Sequence, residues 1–295
     1  MPETSLRYPA YGLYGLAAPT MERSPVPQSV TLERAETSLG VIELFTFERH
    51  RHAFPRHAHE VLTLGVFGVG NGTIRVGGGT HRALPGSLLA LAPNEVHSAE
   101  PLRGAGWTYR SVCPSATLLA HALGGAAGGF TFDQPVISDP VLAHEVGAVH
   151  GALAHGPATL ETEVRVVELL RRTVGRHATR TSPVIRASAP ARDIAVRASE
   201  LMESRLASPL LLADIARECG VSPFKLIRAF HAAFGVPPHS YLMQARLRRA
   251  RALLQGGAGI STAAFSCGFV DQSHLTKVFK RYYGMTPGAY AKRVR

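Results

Sequence analysis

Leu226-x3-Phe230-x4-Gly235-x2-Pro238 recurs later in the same chain as Leu275-x3-Phe279-x4-Gly284-x2-Pro287. A Cys-Gly pair precedes each copy, Cys219-Gly220 and Cys267-Gly268, and ahead of each pair lies Ile215-Ala216 or Ala263-Ala264. Leu and Phe four apart share one helix face, while Gly and then Pro punctuate the helix end. A short helix, a Gly-containing turn and a second helix predict a helix-turn-helix, whose second helix fits a DNA major groove. Two copies predict a chain that reads two groove segments.

Charge points to the same segment. Residues 191–295 hold 16 Lys and Arg against 6 Asp and Glu, a net +10, whereas residues 1–190 hold 16 against 15. An excess confined to one part of a chain predicts a polyanionic partner for that part, and phosphate neutralisation is where such charge contributes to affinity. The length of 295 residues predicts two domains. Cys113, Cys219 and Cys267 lack metal-type spacing and read as reduced, buried thiols. With neither an apolar run long enough to span a membrane nor a secretory leader pattern, a cytoplasmic protein is expected.

Residues 1–30 lack a sustained period and are expected to form a loose arm. From Leu39 the reading is β: Gly40–Phe47, Val61–Phe67, Thr73–Val76, Ser87–Ala92 and Trp107–Val112, separated by Gly and Pro turns, predict a small antiparallel barrel or jelly roll over 31–139. Helices follow over Pro140–His155 and Leu160–His177. Leu160, Val164, Val167, Leu170 and Val174 form an apolar stripe that either packs on the barrel or pairs two subunits. Residues 178–190 have linker composition. Beyond them the expectation is helical throughout: Asp193 to about Leu206, Leu211–Glu218, Pro223–Phe234, Pro238–Gln255, Ile260–Ser266 and Asp271–Tyr283. The fold expected is therefore multidomain α and β: a β-barrel, a helical hairpin at 140–177 and an all-α domain at 191–295 with two helix-turn-helix motifs.

At these residues the chain resembles a known family. Ala264-x3-Gly268-Phe269-x-Asp271-Gln272-Ser273-His274-Leu275-x3-Phe279-Lys280-x3-Gly284-x2-Pro287-x2-Tyr290 is similar to the DNA-binding domain of AraC/XylS bacterial transcription regulators. Gly220-Val221-Ser222-Pro223 with Leu226-x-Arg228-x-Phe230, and Arg246-Leu247-x2-Ala250-x2-Leu253-Leu254, match as well. His57-x-His59, Gly86 and Pro93-x3-His97 resemble the cupin-type sensor domain common in that family. The resemblance implies a cupin-like barrel sensing a small-molecule effector, dimerising helices at 140–177, promoter DNA and RNA polymerase as partners, and activation rather than repression.

Within the two units, Ser222 and Asp271 are placed to cap the second helices. Phe224, Lys225, Ile227 and Arg228, then Gln272, Ser273, Thr276 and Lys277, are expected to face DNA. Arg suits both guanine acceptors, Gln suits adenine, and Lys suits guanine or phosphate. Leu226, Phe230, Leu275 and Phe279 read as core. Lys280, Arg281 and the Arg246/Arg248/Arg249/Arg251 cluster read as phosphate contacts or solubilising charge.

The histidines pose the remaining question. His57 and His59, two apart on a strand, share a face, and His97 can approach them in a barrel; three imidazoles suit Zn²⁺ or Fe²⁺. Metal-binding cupins place a Glu four or five residues past the second His, where this chain has Thr63 and Leu64. The expectation is accordingly no metal and no cofactor, with Arg56, His57, His59, Arg75 and His97 as candidate effector ligands. No phosphate loop, nucleophile elbow or paired-Cys site marks an enzyme. A regulator whose barrel only dimerises, and a metal-dependent cupin enzyme fused to a DNA-binding domain, are the rival classes.

Overall fold

The computed structural model describes residues 28–102, 106–125, 129–180 and 188–294. All but the last three residues of the expected arm lie outside them. The N-terminal domain comprises β1 (Ser29–Thr37), β2 (Gly40–His50), β3 (Phe54–His57), β4 (Thr63–Phe67), β5 (Gly72–Val76), β6 (Gly79–Ala83), β7 (Leu88–Leu91), β8 (His97–Pro101) and β9 (Trp107–Pro114). After it come α1 (Ala116–Ala122), β10 (Phe130–Thr131), β11 (Val136–Ile137), α2 (Pro140–His155), α3 (Leu160–His177) and β12 (Thr179–Arg180). One sheet has the order β1-β2-β9-β4-β7-β11, and a second has β3-β8-β5-β6.

Strand alternation places the two faces of the larger sheet. Ile42, Leu44, Leu64 and Val112 point to one side and are buried with Leu142, Val146 and Val149 of α2 and Val166, Leu169 and Leu170 of α3. Both helices thus pack on their own barrel. Leu160 and Val164, two members of the expected stripe, remain 78% and 47% exposed. On the other side, Phe67, Leu89, Leu91 and Trp107 meet Ile74 and Val76 of the smaller sheet.

β1 was not legible in the sequence. Its buried residues Leu32 and Ala35 lie three apart rather than two, because the strand serves two cores. Ala35 joins the helix-side core, and Leu32 joins a cluster with Leu247, Ala250, Leu275 and Phe279 of the C-terminal domain. The barrel edge and the second helix-turn-helix therefore share one hydrophobic cluster.

The C-terminal domain comprises α4 (Ala189–Ser204), α5 (Leu212–Glu218), α6 (Pro223–Phe234), α7 (Pro238–Gln255), α8 (Ile260–Ser266), α9 (Gln272–Tyr283) and α10 (Pro287–Val294). α4 begins inside the expected linker, with Ser188 at its N-cap and Pro190 in its first turn, a start signal that precedes Asp193. β12 also falls in that linker and pairs with β10. Gly235 and Gly284 of the repeat end α6 and α9 in left-handed conformation, φ +69° and +74°, and donate to His231 O and Lys280 O. At Gly268 (φ +75°) a Cβ would come within 2.3 Å of Leu206 O, so the turn of the second unit requires glycine.

Candidate functional site

The two second helices of the repeat, α6 and α9, carry the residues expected to face DNA. Ser222 Oγ accepts the Lys225 N–H at 3.3 Å, and Asp271 Oδ1 accepts the His274 N–H at 2.7 Å, so both predicted caps are in place. Leu226, Phe230, Leu275 and Phe279 are fully buried. That leaves Phe224, Lys225 and Arg228 exposed on α6, and Gln272, Ser273 and Lys277 exposed on α9, with Ile227 and Thr276 half-buried at the margins. The Arg228 guanidinium lies 5.8 Å from the Phe224 ring centroid, a cation–π contact that steadies a long side chain. Phe265 and Val270 are also exposed apolar residues beside the second unit, and sequence reasoning passed over them. His274 instead packs its ring on Phe269 and accepts the Val270 N–H, which marks it as structural.

Three arginines of the α7 cluster, expected as phosphate contacts or solubilising charge, are engaged within the protein. Arg246 donates to Leu206 O and Ser208 O at 2.9 and 3.0 Å. Arg248 pairs with Glu60 at 2.7 Å and Glu203 at 3.2 Å. Arg251 donates to both Glu43 oxygens at 2.7 and 2.6 Å and lies over the Tyr283 and Tyr290 rings. Among the four, Arg249 alone is exposed and makes no hydrogen bond or ion pair among the described residues. The other three hold the C-terminal domain together or fasten it to the barrel.

Between the domains lies a cavity of about 430 Å³. The barrel supplies Glu43, Phe45, Phe54, Thr63, Trp107, Tyr109 and Cys113, and the C-terminal domain supplies Arg248, Arg251, Gln255, Tyr282 and Tyr283. The barrel residues come from the strand positions that alternate with the helix-facing ones. Tyr109 Oη is buried without a well-formed hydrogen bond among the described residues. Burial pushes the Cys113 thiol up to about 11, so it stays protonated.

His57, His59 and His97 line this cavity together, with ring centroids 4.3 to 5.1 Å apart. Only His57 belongs to β3; His59 stands in the loop that follows, rather than on the same strand face. That loop is pinned from two sides. The Asn94 N–H donates to His59 O at 2.6 Å, and the Ala58 N–H donates to Gln244 Oε1 of α7 at 3.0 Å. Burial pulls His57 down to about 4 and His97 to about 3, and holds His59 well below the ordinary histidine value, so all three are neutral near pH 7. Arg56 and Arg75, the other two expected effector ligands, do not line the cavity. Both are exposed, and Arg75 is paired with Glu100 at 2.6 Å. Strand alternation turns them outward. The cavity cations, Arg34, Arg248 and Arg251, come from positions far apart in sequence, and no local pattern signals them.

Comparison with known proteins agrees with this division. Residues 39–170 match the AraC-like ligand binding domain family, and residues 215–293 match a helix-turn-helix domain family. The chain is 28% identical over 237 residues to YbfI, an uncharacterized HTH-type transcriptional regulator of Bacillus subtilis, covering 79% of this chain and 86% of that one. It is 38% identical over 88 residues to the HTH-type transcriptional regulator GbdR of Pseudomonas aeruginosa, a match spanning 30% of this chain but only 24% of GbdR. In structure it is similar to unsaturated fatty acid-bound ToxT of Vibrio cholerae, with a TM-score of 0.53 at 13% identity, covering 85% of this chain and 94% of ToxT. YbfI and GbdR are both named as HTH-type transcriptional regulators.

Proposed function

The chain belongs to the AraC family of DNA-binding transcription regulators, with an AraC-like ligand-binding domain, and from that premise we propose that a small effector in the interdomain cavity controls how α6 and α9 meet promoter DNA. The observation that carries this reading is the composition of the cavity wall. Tyr282 and Tyr283 belong to α9 itself, and Arg248 and Arg251 belong to the helix that joins the two units. An occupant of the cavity touches the reading apparatus directly. Differential affinity for two domain arrangements is then enough to shift DNA binding.

In this reading Phe224, Lys225, Ile227, Arg228, Gln272, Ser273, Thr276 and Lys277 contact DNA sequence-specifically. Two copies pair through α2 and α3, where Val141, Leu160 and Val164 stay exposed. The dimer acts in the cytoplasm as an activator that engages RNA polymerase, as the family resemblance implies. The open cavity speaks against a barrel that serves dimerisation alone, since a purely structural barrel would be filled by its own side chains.

The test is thermal melting of the full chain with fatty acids, aromatic acids, amino acids and sugars, followed by anisotropy on duplexes selected from a random pool. An effector at about 100 times its dissociation constant stabilises by about 2.7 kcal/mol. The same compound is expected to change DNA affinity. A compound that raises the melting temperature yet leaves DNA affinity untouched would refute the coupling.

A further inference from the structure

We propose that Val270, in the turn between α8 and α9, reads the C5-methyl group of a thymine at the edge of the DNA segment met by α9. Comparison of the two units singles this residue out. Cys219, Gly220 and Val221 recur 48 positions on as Cys267, Gly268 and Phe269, whereas Ser222, Leu226 and Phe230 recur 49 positions on as Asp271, Leu275 and Phe279. The hydrogen bonds keep the same correspondence: the Val221 N–H donates to Ala216 O and the Phe269 N–H to Ala264 O, and Ser222 and Asp271 both cap. Val270 is therefore the one residue by which the second turn exceeds the first. The inference rests on the reading of α9 as a DNA-facing helix and extends it to a residue outside that helix.

The added residue is a valine, and it is 77% exposed. An apolar residue just ahead of an N-cap often folds back and packs on the fourth residue of the helix. Here Phe269 takes that place: it is buried in one cluster with Leu275 and Phe279, and Val270 is left outside. Its backbone is nonetheless fixed. Phe269 anchors it on one side and the Asp271 cap on the other, and its own N–H donates to His274 Nδ1 at 3.4 Å. A β-branched side chain on a fixed backbone has few rotamers to lose on contact.

The surroundings identify the occupant. Val270 directly precedes the exposed residues Asp271, Gln272 and Ser273, and the first residues of the second helix are those that reach base edges. An isopropyl group has neither donor nor acceptor, so it gains nothing from a phosphate or from the polar edge of a base. The thymine C5-methyl is the apolar group that a major groove presents. α9 carries exposed Lys277, Lys280 and Arg281 and no acidic residue, a surface that suits nucleic acid rather than a second protein. The first unit has no counterpart to Val270, so the added contact also distinguishes the two DNA segments and fixes which unit takes which.

The experiment selects duplexes from a random pool with the full wild-type chain, then replaces each thymine of the selected site by deoxyuridine, which pairs alike but lacks the methyl. One replacement, in the segment where Gln272→Ala relaxes base preference, is expected to weaken wild-type binding about fourfold, the worth of one buried methyl group. Val270→Ala should bind the thymine and uracil duplexes equally at that position. It should keep the wild-type melting temperature and salt slope, because the side chain neither packs in the core nor touches phosphate. Selection repeated with Val270→Ala should lose the thymine preference at that position alone. A variant that keeps every methyl dependence of wild type, or that loses affinity equally on all duplexes, overturns the inference. So does unchanged DNA binding with reduced transcription from the cognate promoter, which assigns the valine to a protein partner. A selected site whose methyls are all indifferent removes the valine contact and leaves the DNA-facing reading standing; failure to select any sequence removes both.

Discussion

Arg251 of α7 donates to both carboxylate oxygens of Glu43 on β2, at 2.7 and 2.6 Å, across the boundary between the two domains. The two side chains are only 23% and 16% exposed. Tyr290 Oη accepts from Arg251 Nε at 3.2 Å and from Gln255 Nε2 at 2.6 Å, so the pair anchors a small polar network. Removing one partner strands the other charge in a poorly solvated site. Glu43→Gln or Arg251→Met is therefore expected to cost about 3 kcal/mol, the lower end for a buried pair. The Glu43→Gln/Arg251→Met double variant should lose less than the sum of the single losses. Denaturant unfolding of the four proteins measures the coupling, and strict additivity would show that the two residues do not interact energetically.

Arg228 and Lys277 are expected to differ in kind. Arg228→Ala should cost about 1–3 kcal/mol on the preferred duplex and relax preference at one base position. Lys277→Ala, as a phosphate contact, should weaken all duplexes alike and reduce the salt slope by about 1. Competition binding against a substituted duplex series, repeated at several salt concentrations, separates the two. A uniform loss for Arg228→Ala would reassign it to the backbone.

The caps of α6 and α9 can be tested without DNA. Ser222→Ala and Asp271→Ala each remove the side chain that accepts a helix N–H, and each should cost about 0.5–2 kcal/mol. Because α9 also shares a core with Leu32 of the barrel, the Asp271→Ala loss should appear in the unfolding of the whole chain. A separate early transition confined to the C-terminal helices would mean the domains melt independently.

The elements that were legible in the sequence are those whose signals are local. α2, α3, α6, α7 and α8 follow the bounds read from apolar spacing, Pro starts and Gly ends, and the repeat alone marks the caps and the buried Leu–Phe pairs. β1 escaped because its inward residues feed two cores, so its spacing does not alternate. β6 and β8 are short strands whose polar residues carry no period, so no local signal marks them; β3 was read only as a strand beneath His57 and ends there, two residues short of His59. The candidate site divides the same way. His57, His59 and His97 were legible as a group, while Arg251, Gln255, Tyr282 and Tyr283 reach the cavity only through the docking of one domain on the other. Arg56 and Arg75 point away from the cavity because strand alternation, which charge alone does not reveal, turns them outward.

Acid should weaken this fold partly through His150. The ring is buried in α2 against Thr46, with Nε2 3.2 Å from Oγ1. Burial first, and then the nearby Arg110 and His155 charges, hold it down to about 4, against the opposing influence of the Phe45 backbone. The folded protein thus keeps His150 neutral while the unfolded chain takes a proton near 6.5. Between those values the unfolded state binds more protons, so stability falls as pH falls, by at most about 1.4 kcal/mol per pH unit from this residue. His150→Gln should flatten the fall in melting temperature between pH 6.5 and 4. Identical slopes for the two proteins would mean that His150 is charged in the folded state.

Tyr109 offers a cleaner probe of the cavity than any of its charged residues. Its hydroxyl is buried with no well-formed hydrogen bond among the described residues, and burial raises its pKa far above the ordinary tyrosine value against a weaker opposing influence of Ser111, so it stays a neutral donor. An unpaired buried hydroxyl costs the fold about 1–3 kcal/mol, which an effector with an accepting atom would recover on binding. Tyr109→Phe keeps the ring that packs on Phe47 and Phe67 and removes the oxygen alone. The variant without effector should therefore be as stable as wild type or slightly more so, while its effector affinity drops about tenfold, or about 1.4 kcal/mol. Melting without effector and calorimetric titration with it report the two quantities separately. A destabilised apo variant with unchanged affinity would place the hydroxyl in the fold's own hydrogen bonding and out of contact with the effector.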